Sequence, residues 1–155
     1  MNDFLFDLTR NTVLWTAALA WFIAQFLKFT IELIRHNRIS LYVLLARTGG
    51  MPSSHSAFVV SLMIVVGFKE GFGSGLFAVS AALAMVTMAD AAGIRRAAGK
   101  HAAALNMLIE HLNDPGISLD RKLRELLGHT PVEVAAGALL GIGIGVASSY
   151  YHGFV

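Results

Sequence analysis

Four stretches of this 155-residue chain are apolar over close to the length of a bilayer crossing, and that leaves few folds open. A hydrocarbon core about 30 Å thick needs roughly 20 apolar residues per helix. Inside it, only helices and closed barrels satisfy their own backbone polar groups. The first stretch runs from Thr12 to Ile34, broken by Gln25, Lys28 and Glu32. The second, from about Pro52 to Phe68, is the shortest and needs its serine-rich start to complete a crossing. The third, Ser74 to about Gly93, is rich in alanine, and the fourth, Pro131 to Tyr151, contains GALLGIGIG. The expectation is an all-α integral membrane helical bundle of about four transmembrane helices, forming one domain over residues 1–155. Only 14% of the residues are charged, against about a quarter in a soluble domain. The absence of cysteine excludes a disulfide framework and thiolate chemistry. The first apolar run is too long and uninterrupted for the core of a cleavable secretion signal.

The polar stretch between spans three and four is patterned. Leu105, Leu108, Ile109 and Leu112 recur at helical spacing, which predicts an amphipathic helix. Asn113-Asp114-Pro115-Gly116 ends it with turn chemistry. A second short helix follows from Leu119 to Leu127, with Gly128 as its C′ residue. Both lie at the membrane surface or fold back over the bundle.

Charge then orients the chain. The segment 35–51 carries Arg35, Arg38 and Arg47; the segment 94–130 carries Arg95, Arg96, Lys100, Arg121, Lys122 and Arg124. With four spans these segments share a side, which holds nine of the twelve Lys and Arg, while the other side has Arg10 and Lys69. The positive-inside rule makes the basic side cytoplasmic and puts both termini outside. Gly137, Gly141 and Gly145 form two overlapping G-x-x-x-G steps, which serve tight packing inside the bundle or a homodimer seam.

Four groups of reactive residues stand at the ends of the spans. In GGMPSSHS, Pro52 suits the first turn of a helix. Ser53 and Ser54 then offer hydroxyls and amides to an anion favoured by the helix dipole, and His55 stands ready to exchange a proton with it. The plainer reading is serine capping beside an interfacial histidine. Lys28 and Arg35, seven residues apart, fall on one face of span one. They bind an anion, or Lys28 simply snorkels to the interface. In His129-Thr130-Pro131-Val132-Glu133, Thr130, Pro131 and Glu133 spell a capping box. Equally, Glu133 fixes the tautomer of His129 and leaves the other ring nitrogen nucleophilic. At the exit of span three, Asp90 precedes Arg95 and Arg96, an ion-paired anchor or a phosphate-binding arginine supported by Asp90.

Hydropathy alone brings all four groups to one membrane face. Cations, a helix N-terminus and two histidines are the equipment for transferring a phosphoryl group without a metal. A metal site from His101, Glu110 and His111 is disfavoured, because Glu110 and His111 are adjacent and point apart on a helix.

These residues resemble the motifs K-x6-R-P, P-S-G-H and S-R-x5-H-x3-D of the type 2 phosphatidic acid phosphatase and vanadium haloperoxidase superfamily. Lys28-x6-Arg35, Pro52-Ser53-Ser54-His55 and His129-x3-Glu133 follow in the same order. The chain looks most like the small divergent bacterial and plant branch, through GGMPSSHSA, D-A-x-G-x-R-R and L-L-G-H-x-P-x-E, and this likeness covers nearly the whole chain. It departs from the parent motifs at His36 for proline, Ser54 for glycine and Glu133 for aspartate. Leu123 stands where the third motif has arginine, so Arg95 or Arg96 is expected to supply that charge. Arg95-x5-His101 mimics the motif, but Leu105 follows where a carboxylate should.

The resemblance implies a metal-independent phosphatase for a membrane lipid phosphate or isoprenoid (di)phosphate, in a bacterial inner membrane or plastid-type membrane. His129 becomes phosphorylated, held by Glu133. His55 protonates the leaving oxygen, and Lys28, Arg35, Ser53, Ser54 and Arg95 or Arg96 hold the phosphate. No cofactor, metal or nucleic-acid partner is implied. The competing expectations are a non-catalytic anionic-lipid-binding protein and a serine hydrolase using Ser53 or Ser54 with His129 and Asp90. The latter lacks the G-x-S-x-G elbow.

Overall fold

The structure, a computed structural model, describes residues 2–36, 50–111 and 128–155. Among them every regular element is a helix: α1 (Asn2–Thr9), α2 (Thr12–His36), α3 (Ser54–Glu70), α4 (Gly75–Ala92), α5 (Ile94–His111) and α6 (Pro131–Tyr151). Their packing inverts the pattern of a soluble bundle. The buried apolar residues are mostly small, including Ala17, Ala20, Ala24, Ala57, Ala84 and Ala91. Large side chains such as Phe22, Phe26, Leu83, Met85 and Leu139 face outward. Small interfaces and a large apolar exterior are what lipid-solvated helices require, because hydrocarbon gives no drive to hide a leucine.

α3 is the hub, packing against α2, α4 and α6. It has no polar stripe, and its buried residues come from all round it, including Ser54, Ala57, Val60, Val65 and Val66. α6 comes closest to it. A Cβ on Gly137 would strike the Ser53 carbonyl oxygen, and one on Gly141 would lie 2.7 Å from that of Ala57. The G-x-x-x-G steps are therefore used within the chain, to seat α6 on α3.

Among the described residues, three helical runs are long and apolar enough to cross a membrane: Thr12–Ile34, Gly75–Leu108 and Pro131–Tyr151. The remaining expected span is α3, whose 17 residues extend about 25 Å, a few ångströms less than the hydrocarbon core. Its central position keeps its serines away from lipid.

The structure departs from expectation at Pro52 and at the N-terminal helix. Pro52 is not in the first turn of a helix: Ser53 is the N-cap of α3, and Pro52 precedes it in a buried turn. Ser53, with extended backbone at ψ 116°, caps α3 with its side chain, and its amide donates to the Glu133 carbonyl at 2.9 Å. The expected amphipathic helix after span three is α5, which carries Leu105 and Leu108 and starts at Ile94, with only Gly93 between it and α4. Gly93 donates its amide to the Ala89 carbonyl at 2.8 Å, ending one helix where the next begins. α1 was not anticipated; it is too short for a span and too apolar to register as a linker. The expected turn at 113–116, the short helix at 119–127 and most of the 35–51 segment lie outside the described residues.

Candidate active site

The site forms where the starts of α3 and α6 meet the ends of α2 and α4. At α3, the Ser53 hydroxyl accepts from the Ser56 amide at 3.3 Å and the Ser56 hydroxyl at 3.0 Å. Ser53 is therefore an ordinary N-cap. Ser54 and His55 follow at N1 and N2, whose amides have no acceptor inside the helix.

α2 brings Lys28 to this helix start. Its Nζ donates to Ser54 Oγ at 3.2 Å, in a buried contact. Lys28 is only 5% exposed, so it does not reach out to water as a snorkelling lysine would. The serine that replaces the superfamily's glycine is the residue that receives this ammonium.

His129 is held from two directions. Its amide donates to the carbonyl of Ala91 at the end of α4, 3.1 Å away, next to half-buried Asp90. Its Nδ1 lies 3.2 Å from Glu133 Oε2. The same Oε2 accepts the Thr130 amide at 3.0 Å, and Thr130 Oγ1 accepts the Glu133 amide at 3.3 Å. The capping box is present, and its carboxylate also contacts the imidazole. With Nδ1 turned to Glu133, Nε2 is the ring nitrogen on the other side. It is buried and has no hydrogen-bond partner among the described residues. The His55 ring stands edge-on, its centroid 6.2 Å from that of His129.

Burial is the largest influence on His129 and lowers its pKa from the ordinary value of 6.5. The Lys28 ammonium lowers it further. The bond to Glu133 and the nearby carboxylate charge oppose this, as does the Gly50 backbone more weakly, although Gly50 does not meet Nε2 in hydrogen-bonding geometry. The balance favours the neutral ring that a nucleophile needs.

Lys28, Ser53, Ser54, His55, His129 and Glu133 are thus brought together. The side chains of Arg35, Arg95 and Arg96 lie outside the described residues, although their backbones stand in the last turn of α2 and the first turn of α5. His101 is exposed on α5, and the side chains of Glu110 and His111 are outside the described residues. Gly50 is a participant that motif spacing did not single out for itself. Its φ is +87°, a conformation suited to glycine, and a Cβ there would lie 3.9 Å from Lys28 Cδ.

The arrangement places an ammonium, a helix N-terminus, an oriented imidazole and a second imidazole around one point. The uncharacterized membrane protein YuiD of Bacillus subtilis (strain 168) is 39% identical over 156 residues, covering 94% of this chain and 98% of that protein. No solved structure matches the chain. The family described as the Divergent PAP2 family matches residues 9–144, a range that holds Lys28, the serine-rich start of α3 and the His129–Glu133 pair, and the chain belongs to that family.

Proposed function

We propose that this membrane protein is a metal-independent phosphatase acting on a membrane lipid phosphate or an isoprenoid (di)phosphate. The observation that supports the reading is the His129 Nδ1–Glu133 Oε2 contact, with Nε2 buried and without a hydrogen-bond partner among the described residues, beside a buried lysine and a second histidine. The Nε2 lone pair attacks phosphorus. A P–N bond forms as the P–O bond to the lipid breaks, the electron pair leaves on the lipid oxygen, and His55 gives that oxygen a proton. Water then attacks the phosphohistidine, His55 takes the proton, and phosphate and free His129 result. Lys28, the amides at the start of α3, Arg35 and Arg95 or Arg96 neutralise the equatorial oxygens, while Asp90 supports the arginine pair. The basic residues of segments 35–51 and 94–130 support a cytoplasmic active site.

A second reading draws on Ser54. Its hydroxyl occupies Lys28, which suits a protein that binds an anionic lipid headgroup without turning it over. One experiment separates the two. Purified protein should release phosphate from phosphatidate or an isoprenoid diphosphate in EDTA, and vanadate should block it. Saturable binding of these lipids with no phosphate released would favour the second reading.

A further inference from the structure

At the end of the bundle away from His129, α2 and α6 part to leave a groove of about 950 Å3. Leu19, Ile23 and Ile144 give it apolar walls, and a 2.6 Å hydrogen bond between Thr16 and Ser148 ties the two helices along it. Arg10, Trp15 and Tyr151 stand at its mouth. On α2 the groove runs from Thr12 to Ile23, about 16 Å of helix. That is about half of a 30 Å hydrocarbon core, or one leaflet. Thr16 and Lys28 are separated by about 18 Å of helix, so this groove and the phosphate site belong to opposite ends of α2.

Both walls come from helices long and apolar enough to cross the membrane, so the medium around the groove is acyl chain. The mouth has the chemistry of an interface. Trp15 and Tyr151 are exposed aromatics of the kind that settle at headgroup level. Arg10 is exposed, and its guanidinium lies 4.2 Å from the centroid of the Phe6 ring. Trp15 Nε1 donates to the Leu8 carbonyl at 3.1 Å, which braces the turn that carries Arg10. Among the described residues, Arg10 is the one Lys or Arg that lines the groove.

We propose that the groove is a lipid site, holding one acyl chain of an anionic phospholipid from the leaflet opposite the phosphate site, with the lipid phosphate on Arg10. The site is separate from the phosphatase reading and stands or falls without it.

The test uses the whole chain in phosphatidylcholine nanodiscs doped with phosphatidylglycerol carrying a photoreactive acyl chain. A phosphatidylcholine probe with the same chain is the control. Mass spectrometry should map the cross-links to residues 12–23 and 144–152, with the anionic probe favoured. Arg10→Gln should reduce its yield about fivefold, the worth of one basic residue at an anionic surface, and Arg10→Lys should restore it. Ala147→Trp, at an exposed position lining the groove, should block both probes there. Equal yields from the two headgroups, no response to Arg10→Gln, or cross-links spread over the outward faces of α4 would overturn the proposal.

Discussion

Glu133 Oε2 accepts from the amide of Thr130 at 3.0 Å and lies 3.2 Å from the Nδ1 of His129. One carboxylate oxygen therefore caps α6 and orients the candidate nucleophile. The two roles can be separated. Glu133→Gln keeps a side-chain oxygen for the Thr130 amide but loses the charge that stabilises an imidazolium. It should cost about a hundredfold in kcat with thermal stability nearly unchanged. Glu133→Ala should lose the same activity and, in addition, about 1 kcal/mol of stability with the cap. Phosphate-release kinetics beside melting curves in detergent give both readings.

The pH dependence follows from the burial of His129. Its folded-state pKa lies below the ordinary 6.5, so on acidification the unfolded chain takes up this proton first. The associated stability is complete above pH 6.5 and is lost as pH falls through the folded-state value. Histidine-ring NMR should show the His129 midpoint below 6.5, and His129→Gln should flatten the acid side of the stability curve. A midpoint above 6.5 would mean that Glu133 outweighs burial and Lys28.

Lys28 and Ser54 give a test of phosphate binding. Lys28→Met removes a charged donor and should weaken vanadate inhibition roughly ten- to hundredfold, the worth of a hydrogen bond to a charged group. Ser54→Gly removes the hydroxyl that Lys28 now meets at 3.2 Å. It should leave vanadate inhibition as strong or stronger. Weaker inhibition in Ser54→Gly would show that the hydroxyl itself binds the phosphate.

Packing between α3 and α6 should tolerate no side chain at Gly137. Gly137→Ala puts a methyl against the Ser53 carbonyl and should destabilise by about 1–3 kcal/mol. Gly143 is the control, because a Cβ there has no neighbour within 4 Å. Gly143→Ala should be neutral or gain up to about 1 kcal/mol of helix propensity. Equal melting temperatures for the two variants would contradict the close approach.

Much of this was legible in the sequence because the signals are local. Runs of apolar residues gave the long helices, and Thr130-Pro131-Val132-Glu133 spelled its own cap. Motif order set Lys28, His55 and His129 in one group. The rest depends on contacts between distant residues. Pro52 suits a first turn, yet Ser53 takes the N-cap of α3, with its amide on the Glu133 carbonyl at the start of α6. Local spacing could not show that Glu133 uses one oxygen for two partners, nor that Ser54 receives Lys28 from 26 residues away. α1 escaped notice because eight residues are too few for a periodic signal.

The most direct test is to trap the intermediate. Protein mixed with radiolabelled lipid phosphate in EDTA and quenched in base should carry acid-labile label on His129. His129→Ala should carry none and release no phosphate above background. A His129→Ala protein with full turnover, or label retained elsewhere on the chain, would contradict the assignment of His129 as the nucleophile.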